Sequence, residues 1–217
     1  MEEDVEIDGE AFGPVETILV TGEGTEWGEL LVDRYRESND VTVQSCKPSD
    51  RIPKSDLCIA DRHTGAINWH SKQVSLPIGE SDGVERFADR IIRGVTTESS
   101  CLMYHHYHDF LEAAGDLQLY TGSLSDTDRF ELEQVAGPEG PANHVYVYVE
   151  PTDQTTLHQV ETLVFERLPE RIGQKSDFGA AAYAAESANT ISGDKGKLTV
   201  FAKQPTGGME GVFPDTL

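Results

Sequence analysis

Basic residues are scarce in this chain: 17 Lys and Arg stand against 39 Asp and Glu, a formal net charge of −22. A nucleic-acid binder, or a protein that docks on an anionic membrane, needs a basic footprint. The nearest approach to one is Arg86, Arg90 and Arg93, and these are interleaved with Glu85 and Asp89. Cysteine is almost as rare. Cys46, Cys58 and Cys101 are widely spaced in apolar segments, which reads as buried free thiols in a reducing compartment, with no CxxC for zinc or redox chemistry. No apolar run approaches the ~20 residues of a membrane span, and the acidic N-terminus has no signal-peptide core. These absences predict a cytoplasmic protein that contacts neither nucleic acid nor membrane directly.

What is present in excess is acid, dispersed along the whole chain, with Lys rarer than Arg. Such a surface stays hydrated in molar salt, where the Debye length falls to about 3 Å and self-repulsion is screened. The composition is that expected of a halophilic, haloarchaeal cytosolic protein. Hydrophobic residues make up only 37% of the 217, but they fall in regular blocks, so one substantial core is expected rather than general disorder. The blocks divide the chain into an acidic flexible arm (1–15), one α/β domain (16–203) and a loose tail (204–217).

Within the domain, Thr17–Val20 is a short β-branched run, the pattern of a buried parallel strand. A Gly-rich turn follows, and then Trp27, Leu30, Leu31 and Tyr35 recur at helical spacing. Strands are expected at Val41–Val43, Asp56–Ala60, Cys101–Tyr104, Leu117–Tyr120, Val145–Val149 and Lys197–Ala202. Arg129–Val135 is compatible with strand or helix. The stretch from Arg62 to Gly79 reads as an irregular surface excursion, and Ala180–Ala185 as a weak helix or a linker. Val84, Phe87, Ala88, Ile91, Ile92 and Val95 form a helical stripe behind Ser81 as the expected N-cap. A short helix is expected around Phe110–Ala114. Thr156 to Gln159 fits a capping box that opens another helix through Leu168. Alternating strands and helices imply a mainly parallel central sheet with helices on both faces. Ligands in such folds bind beyond the C-terminal strand ends, where the first Gly-rich turn lies.

Three constellations bear on chemistry. Gly22-Glu23-Gly24-Thr25-Glu26-Trp27-Gly28 stands where a phosphate loop belongs. A working Walker loop needs Lys and Ser/Thr after its last glycine, to neutralise phosphate and hold Mg²⁺. Here Glu29 and Leu30 occupy those positions, and Trp27 replaces the third glycine of a dinucleotide fingerprint. If nucleotide binds at all, Gly22, Gly24, Thr25 and Gly28 would hold it. His105, His106, His108 and Asp109 invite a metal reading because neutral imidazole is a common ligand. Neither a strand nor a helix there supplies three ligands alone, and His63, His70, His144 and His158 show no recognisable spacing. No Ser lies in a nucleophile elbow and no carboxylate pair stands out, so no catalytic residue is assigned.

The segment order resembles the haloarchaeal relatives of KaiC, in the RecA-like superfamily. Thr17–Gly28 lies at the phosphate-loop position, and Asp56-Leu57-Cys58-Ile59-Ala60-Asp61 is similar to the family's strand ending in a polar pair. Ser75-Leu76-Pro77-Ile78-Gly79 precedes a helix, as the family's Gly-containing turn does. Leu102-Met103-Tyr104 and Asn143–Pro151 complete the order, so the resemblance covers Thr17 to Ile172. It implies a RecA-like three-layer sandwich. It also implies a degenerate nucleotide site, since Glu29 and Leu30 replace Lys and Ser/Thr and the Mg²⁺-binding acid would fall at Tyr104 or His105. The resemblance therefore implies a non-catalytic regulatory or scaffold protein, with no cofactor, that acts on a protein partner or on itself. The alternative is an ATPase with an atypical loop that uses ATP and Mg²⁺.

Overall fold

The computed structural model describes residues 15–22, 26–47, 53–61, 72–78, 83–96, 110–111, 113, 115–125, 130–176, 178–184 and 195–204. The chain is α/β, and its strands divide between two sheets. The first sheet is wholly parallel and contains β1 (Thr17–Thr21), β2 (Thr42–Cys46), β3 (Leu57–Ala60) and β4 (Lys72–Ser75), in the order β2-β1-β3-β4. Helix α1 (Glu26–Tyr35) makes the crossover from β1 to β2, and α2 (Val84–Thr96) follows β4. Asp56 fixes the start of this sheet: one carboxylate oxygen accepts from the Glu16 and Thr17 backbone N–H groups at 3.1 and 2.8 Å.

The second sheet is mixed, in the order β6-β5-β9-β7-β8. Its strands are β5 (Asp116–Ser125), β6 (Phe130–Ala136), β7 (His144–Glu150), β8 (Gly179–Ala184) and β9 (Lys195–Gln204). β5 pairs antiparallel with β6 and β9, β7 antiparallel with β9, and β7 parallel with β8. The mainly parallel arrangement expected is complete in the first sheet, whereas in the second only β7 and β8 run parallel.

Two of the sequence expectations are corrected here. Within the supposed excursion from Arg62 to Gly79, residues Lys72–Ser75 are the edge strand β4, and Val74, Leu76 and Ile78 are buried. Four residues of mixed polarity carry too little periodicity to signal a strand without the neighbour they pair with. The Ala-rich run expected as helix or linker is β8: alanine favours helix intrinsically, but pairing along β7 overrides that preference. The ambiguous Arg129–Val135 stretch resolves as β6. Ser81 and the Cys101–Tyr104 segment lie outside the described residues, and of Phe110–Ala114 only Phe110 and Leu111 are described as helical.

The alternation in His144–Glu150 shows how the layers are built. Tyr146 and Tyr148 face one hydrophobic cluster, which also takes in α2, Phe201 and the first sheet's Ile18, Val20, Leu57 and Ile59. Val145, Val147 and Val149 face a second cluster, under the helical segment that starts at Leu157. α2 belongs to both sheets' packing. Phe87 meets Phe201 edge-on at 6.1 Å, the Tyr146 hydroxyl donates to the Arg90 carbonyl at 3.1 Å, and Arg90 pairs with Glu150 at 2.5 Å. The outer helix begins at the capping box foreseen for Thr156 and Gln159. It runs as α3 (Leu157–Thr162), a π-helical turn (Leu163–Arg167) and α4 (Leu168–Arg171). Pro169 cannot donate to the carbonyl four residues back, and the wider turn, with Leu168 N–H bonded to the Leu163 carbonyl, precedes it. No described helix is long and apolar enough to cross a membrane.

Candidate functional site

The strand order β2-β1-β3-β4 places the topological switch point between β1 and β3, because the chain leaves β1 toward β2 on one side and returns to β3 on the other. Ligands of open parallel sheets bind at this crevice. It is formed here by Thr21 and Gly22 at the end of β1, Asp61 at the end of β3 and Trp27 in the first turn of α1. The Asp61 backbone N–H bonds the Thr21 carbonyl at 3.2 Å, so the two strand ends stay zipped to their last residues.

At Gly22 the described side chains come close to the backbone. A β-carbon placed on Gly22 would overlap the Asp61 carboxylate, with Asp61 Cγ and Trp27 Nε1 each 2.9 Å away. Asp61 is fully buried and Trp27 is 4% exposed. Thr21 Oγ1 and Trp27 Nε1 are buried and have no hydrogen-bond partner among the described residues. One turn further, a β-carbon on Gly28 would lie 2.6 Å from Ser45 Oγ and 3.3 Å from Val20 Cγ2. Gly28 thus lets α1 settle directly onto β1 and β2. Both described glycines of the loop are explained by close packing of backbone against side chains.

Gly24 and Thr25 lie outside the described residues, as do His105, His106, His108, Asp109, His63 and His70. Among the described residues, no group of three His, Cys, Asp or Glu could hold a metal ion. His144 opens β7 and His158 opens α3, which follows the far end of that strand, so they share no site. Glu29 lines a groove between α1 and β2, and Leu30 is 57% exposed on α1. Neither turns toward the switch point as a Walker Lys and Ser/Thr would.

The charges with buried partners lie elsewhere, between α1 and α2. Asp89 accepts from the Tyr35 hydroxyl at 2.9 Å, Arg34 Nη1 at 3.0 Å and Arg93 Nε at 2.9 Å, and Arg34 also pairs with Glu85. Burial, reinforced by the Asp89 charge, pushes the Tyr35 phenol well above its usual range. The three arginines of α2 are likewise committed. Arg93 holds Asp89, Arg90 holds Glu150, and the Arg86 guanidinium lies 5.0 Å over the Phe87 ring. They form no open basic patch. Cys58 is a free, buried thiol, as its setting implied, and burial raises its pKa to about 12, which keeps it unreactive. Cys46 is half-buried and in no disulfide.

Lys203 is the polar group that sequence reasoning missed. It is 6% exposed, its ammonium donates to the Leu111 and Ala113 carbonyls at 3.0 and 2.8 Å, and it lies 5.0 Å over the Phe110 ring. Burial lowers its pKa to about 8. A lysine near the end of an expected strand ordinarily points to solvent, and nothing local marks this one as an anchor for the segment before β5.

No protein-family model matches the chain, and no curated protein is detectably similar to it. Among solved structures, a mutant form of FtsZ from M. jannaschii matches with a TM-score of 0.51 and 8% identity, over 88% of this chain and 92% of that one. At this identity the likeness is one of fold.

Proposed function

We propose that this chain is a non-catalytic regulatory or scaffold protein, of the RecA/KaiC-like type with a degenerate nucleotide site, that acts through contacts with a protein partner or with itself. The observation that carries the reading is the close packing at Gly22, on the described side of the switch point. Where an open α/β sheet would seat a phosphate, Asp61 and Trp27 pack against Gly22. The positive end of α1 offers a phosphate only about 0.3–1 kcal/mol. Glu29 and Leu30 supply neither the charge nor the metal-holding hydroxyl of a phosphate loop. The acidic, dispersed surface supports a protein that works in a salt-rich cytoplasm and has no affinity for nucleic acid.

The ATPase alternative draws on one observation, the two unpartnered buried donors Thr21 Oγ1 and Trp27 Nε1 beside Gly22. Isothermal titration with ATP and Mg²⁺ in molar KCl separates the readings. The non-catalytic reading expects no binding heat at micromolar affinity and no hydrolysis above background. Micromolar binding that is lost on Thr21→Val would replace it with the alternative.

A further inference from the structure

Cations are few in this chain, 17 Lys and Arg against 39 Asp and Glu, yet one of them, Lys203, is buried. Its ammonium is held by the Leu111 and Ala113 carbonyls at 3.0 and 2.8 Å and by the face of the Phe110 ring. On the same face of the second sheet its register partners are Leu117 of β5 and His144 of β7, and the next pair along is Phe201 and Tyr146. Of these, His144 and Tyr146 titrate, and the Tyr146 phenol donates to the Arg90 carbonyl. Asp116, next along β5, is exposed and on the opposite face, since side chains alternate along a strand. Phe110, Leu111 and Ala113 carry no titratable side chain. Among the described residues no carboxylate pairs with the ammonium. Carbonyl oxygens and a ring face offset only part of the cost of taking such a charge out of water. The chain then enters β5 through Gly115, φ +142°, where a β-carbon would overlap the Gln204 carbonyl, so only glycine makes this turn.

We propose that Lys203 fastens a proton-linked clasp: the backbone at Phe110, Leu111 and Ala113 lifts off β9 in a local opening that leaves the second sheet intact, and the clasp closes more tightly as pH rises. Opening returns the amine to water, where its pKa is 10.5, whereas burial in the closed form lowers it to about 8. Between these limits the open form holds more protons, so a rise in pH favours the closed form. The neutral amine still donates to the carbonyls and is far cheaper to bury than the ammonium. At neutral pH the charge is retained in both forms, and the closed one bears its full desolvation cost. That cost is what sets this contact apart from ordinary core packing, which has no reason to answer to pH. Opening uncovers the Phe110 and Leu111 side chains, both buried when closed, and the side of the Tyr146 ring that Phe110 meets at 5.9 Å. The clasp stands whether or not the switch point takes a nucleotide.

The test is native-state hydrogen exchange of the full chain in about 1 M KCl, read by mass spectrometry and corrected for intrinsic rates at about pH 7 and pH 9. Amides of β9 around Phe201 serve as the reference, because β9 is paired on both sides and exchanges only when the sheet opens. Protection at Phe110–Ala113 is expected to be at least about tenfold below that reference at pH 7, and to rise about tenfold by pH 9. Lys203→Met removes the proton and should flatten the rise to under about twofold. Lys203→Arg, whose guanidinium keeps its charge throughout, should flatten it as well, and serves if the methionine variant does not fold. The amine itself, followed in the wild type by the shift of its Cε carbon, should titrate near pH 8. Protection at Phe110–Ala113 equal to that of β9 overturns the proposal, since the stretch would then open only with the whole sheet. A protection that ignores pH, a slope that survives both substitutions, or an amine that titrates as in water overturns it too.

Discussion

Gly22 and Asp61 lie so close across the ends of β1 and β3 that a methyl group on the glycine would overlap the carboxylate, with Trp27 Nε1 2.9 Å from the same methyl position. Asp61 is fully buried and Trp27 nearly so, and neither can swing aside into solvent. Gly22→Ala is therefore expected to destabilise the protein by about 1–3 kcal/mol, the usual cost of overpacking. Guanidinium unfolding in molar KCl measures it. A loss under about 0.5 kcal/mol would mean that the crevice is open enough to admit a ligand.

Asp89 organises the junction of α1 and α2. Removing it takes a partner from Tyr35, Arg34 and Arg93 together, of which Arg34 keeps Glu85, whereas removing the Tyr35 hydroxyl deletes one hydrogen bond to a charged acceptor. Tyr35→Phe is expected to cost about 1–2 kcal/mol and Asp89→Ala about 2–4 kcal/mol, less than for a fully buried charge because the two arginines are partly exposed. The double mutant should cost less than the sum of the two, since both remove the same bond. Additive losses would show that the phenol and the carboxylate act separately.

Lys203 gives stability a slope with pH. Its folded pKa, about 8, lies below its unfolded value of 10.5, so between these limits the unfolded chain binds more protons. Stability then rises with pH through that window. Cys58 and Tyr35 have raised folded pKa values, and their contributions fall once pH passes their unfolded values of 9.0 and 10.0. Between pH 7 and 9 Lys203 should add about 1 kcal/mol, from which Cys58 begins to subtract as pH nears 9. Lys203→Met should abolish that increment relative to wild type. An identical pH slope in both proteins would show that the amine is solvated.

A charge of −22 on one domain acts over a Debye length of about 30 Å in 10 mM salt and about 3 Å in molar salt. The melting temperature is expected to climb steadily between 0.1 and 3 M KCl, with most of the gain where screening takes hold, below about 1 M. A melting temperature that ignores salt would refute adaptation to a salt-rich cytoplasm.

The sequence by itself determined what local chemistry can determine. The β-branched run at Thr17, the helical stripe from Val84 to Val95, the Thr156 capping box and the Tyr–Val alternation in β7 each carry their own periodicity, and each formed as expected. It also showed that Glu29 and Leu30 cannot do the work of a phosphate loop, because that depends on residue type alone. Tertiary structure decided which strands met which. β8 is a strand because β7 offers it a ladder, and β4 because β3 does, although neither segment has the pattern of a strand in isolation. The division into a parallel sheet and a mixed one, the approach of Asp61 to Gly22 and the burial of Lys203 all join residues tens of positions apart. No spacing within a segment encodes such contacts. They follow from packing two sheets against α2, which fixes where each side chain ends only once the whole core has closed.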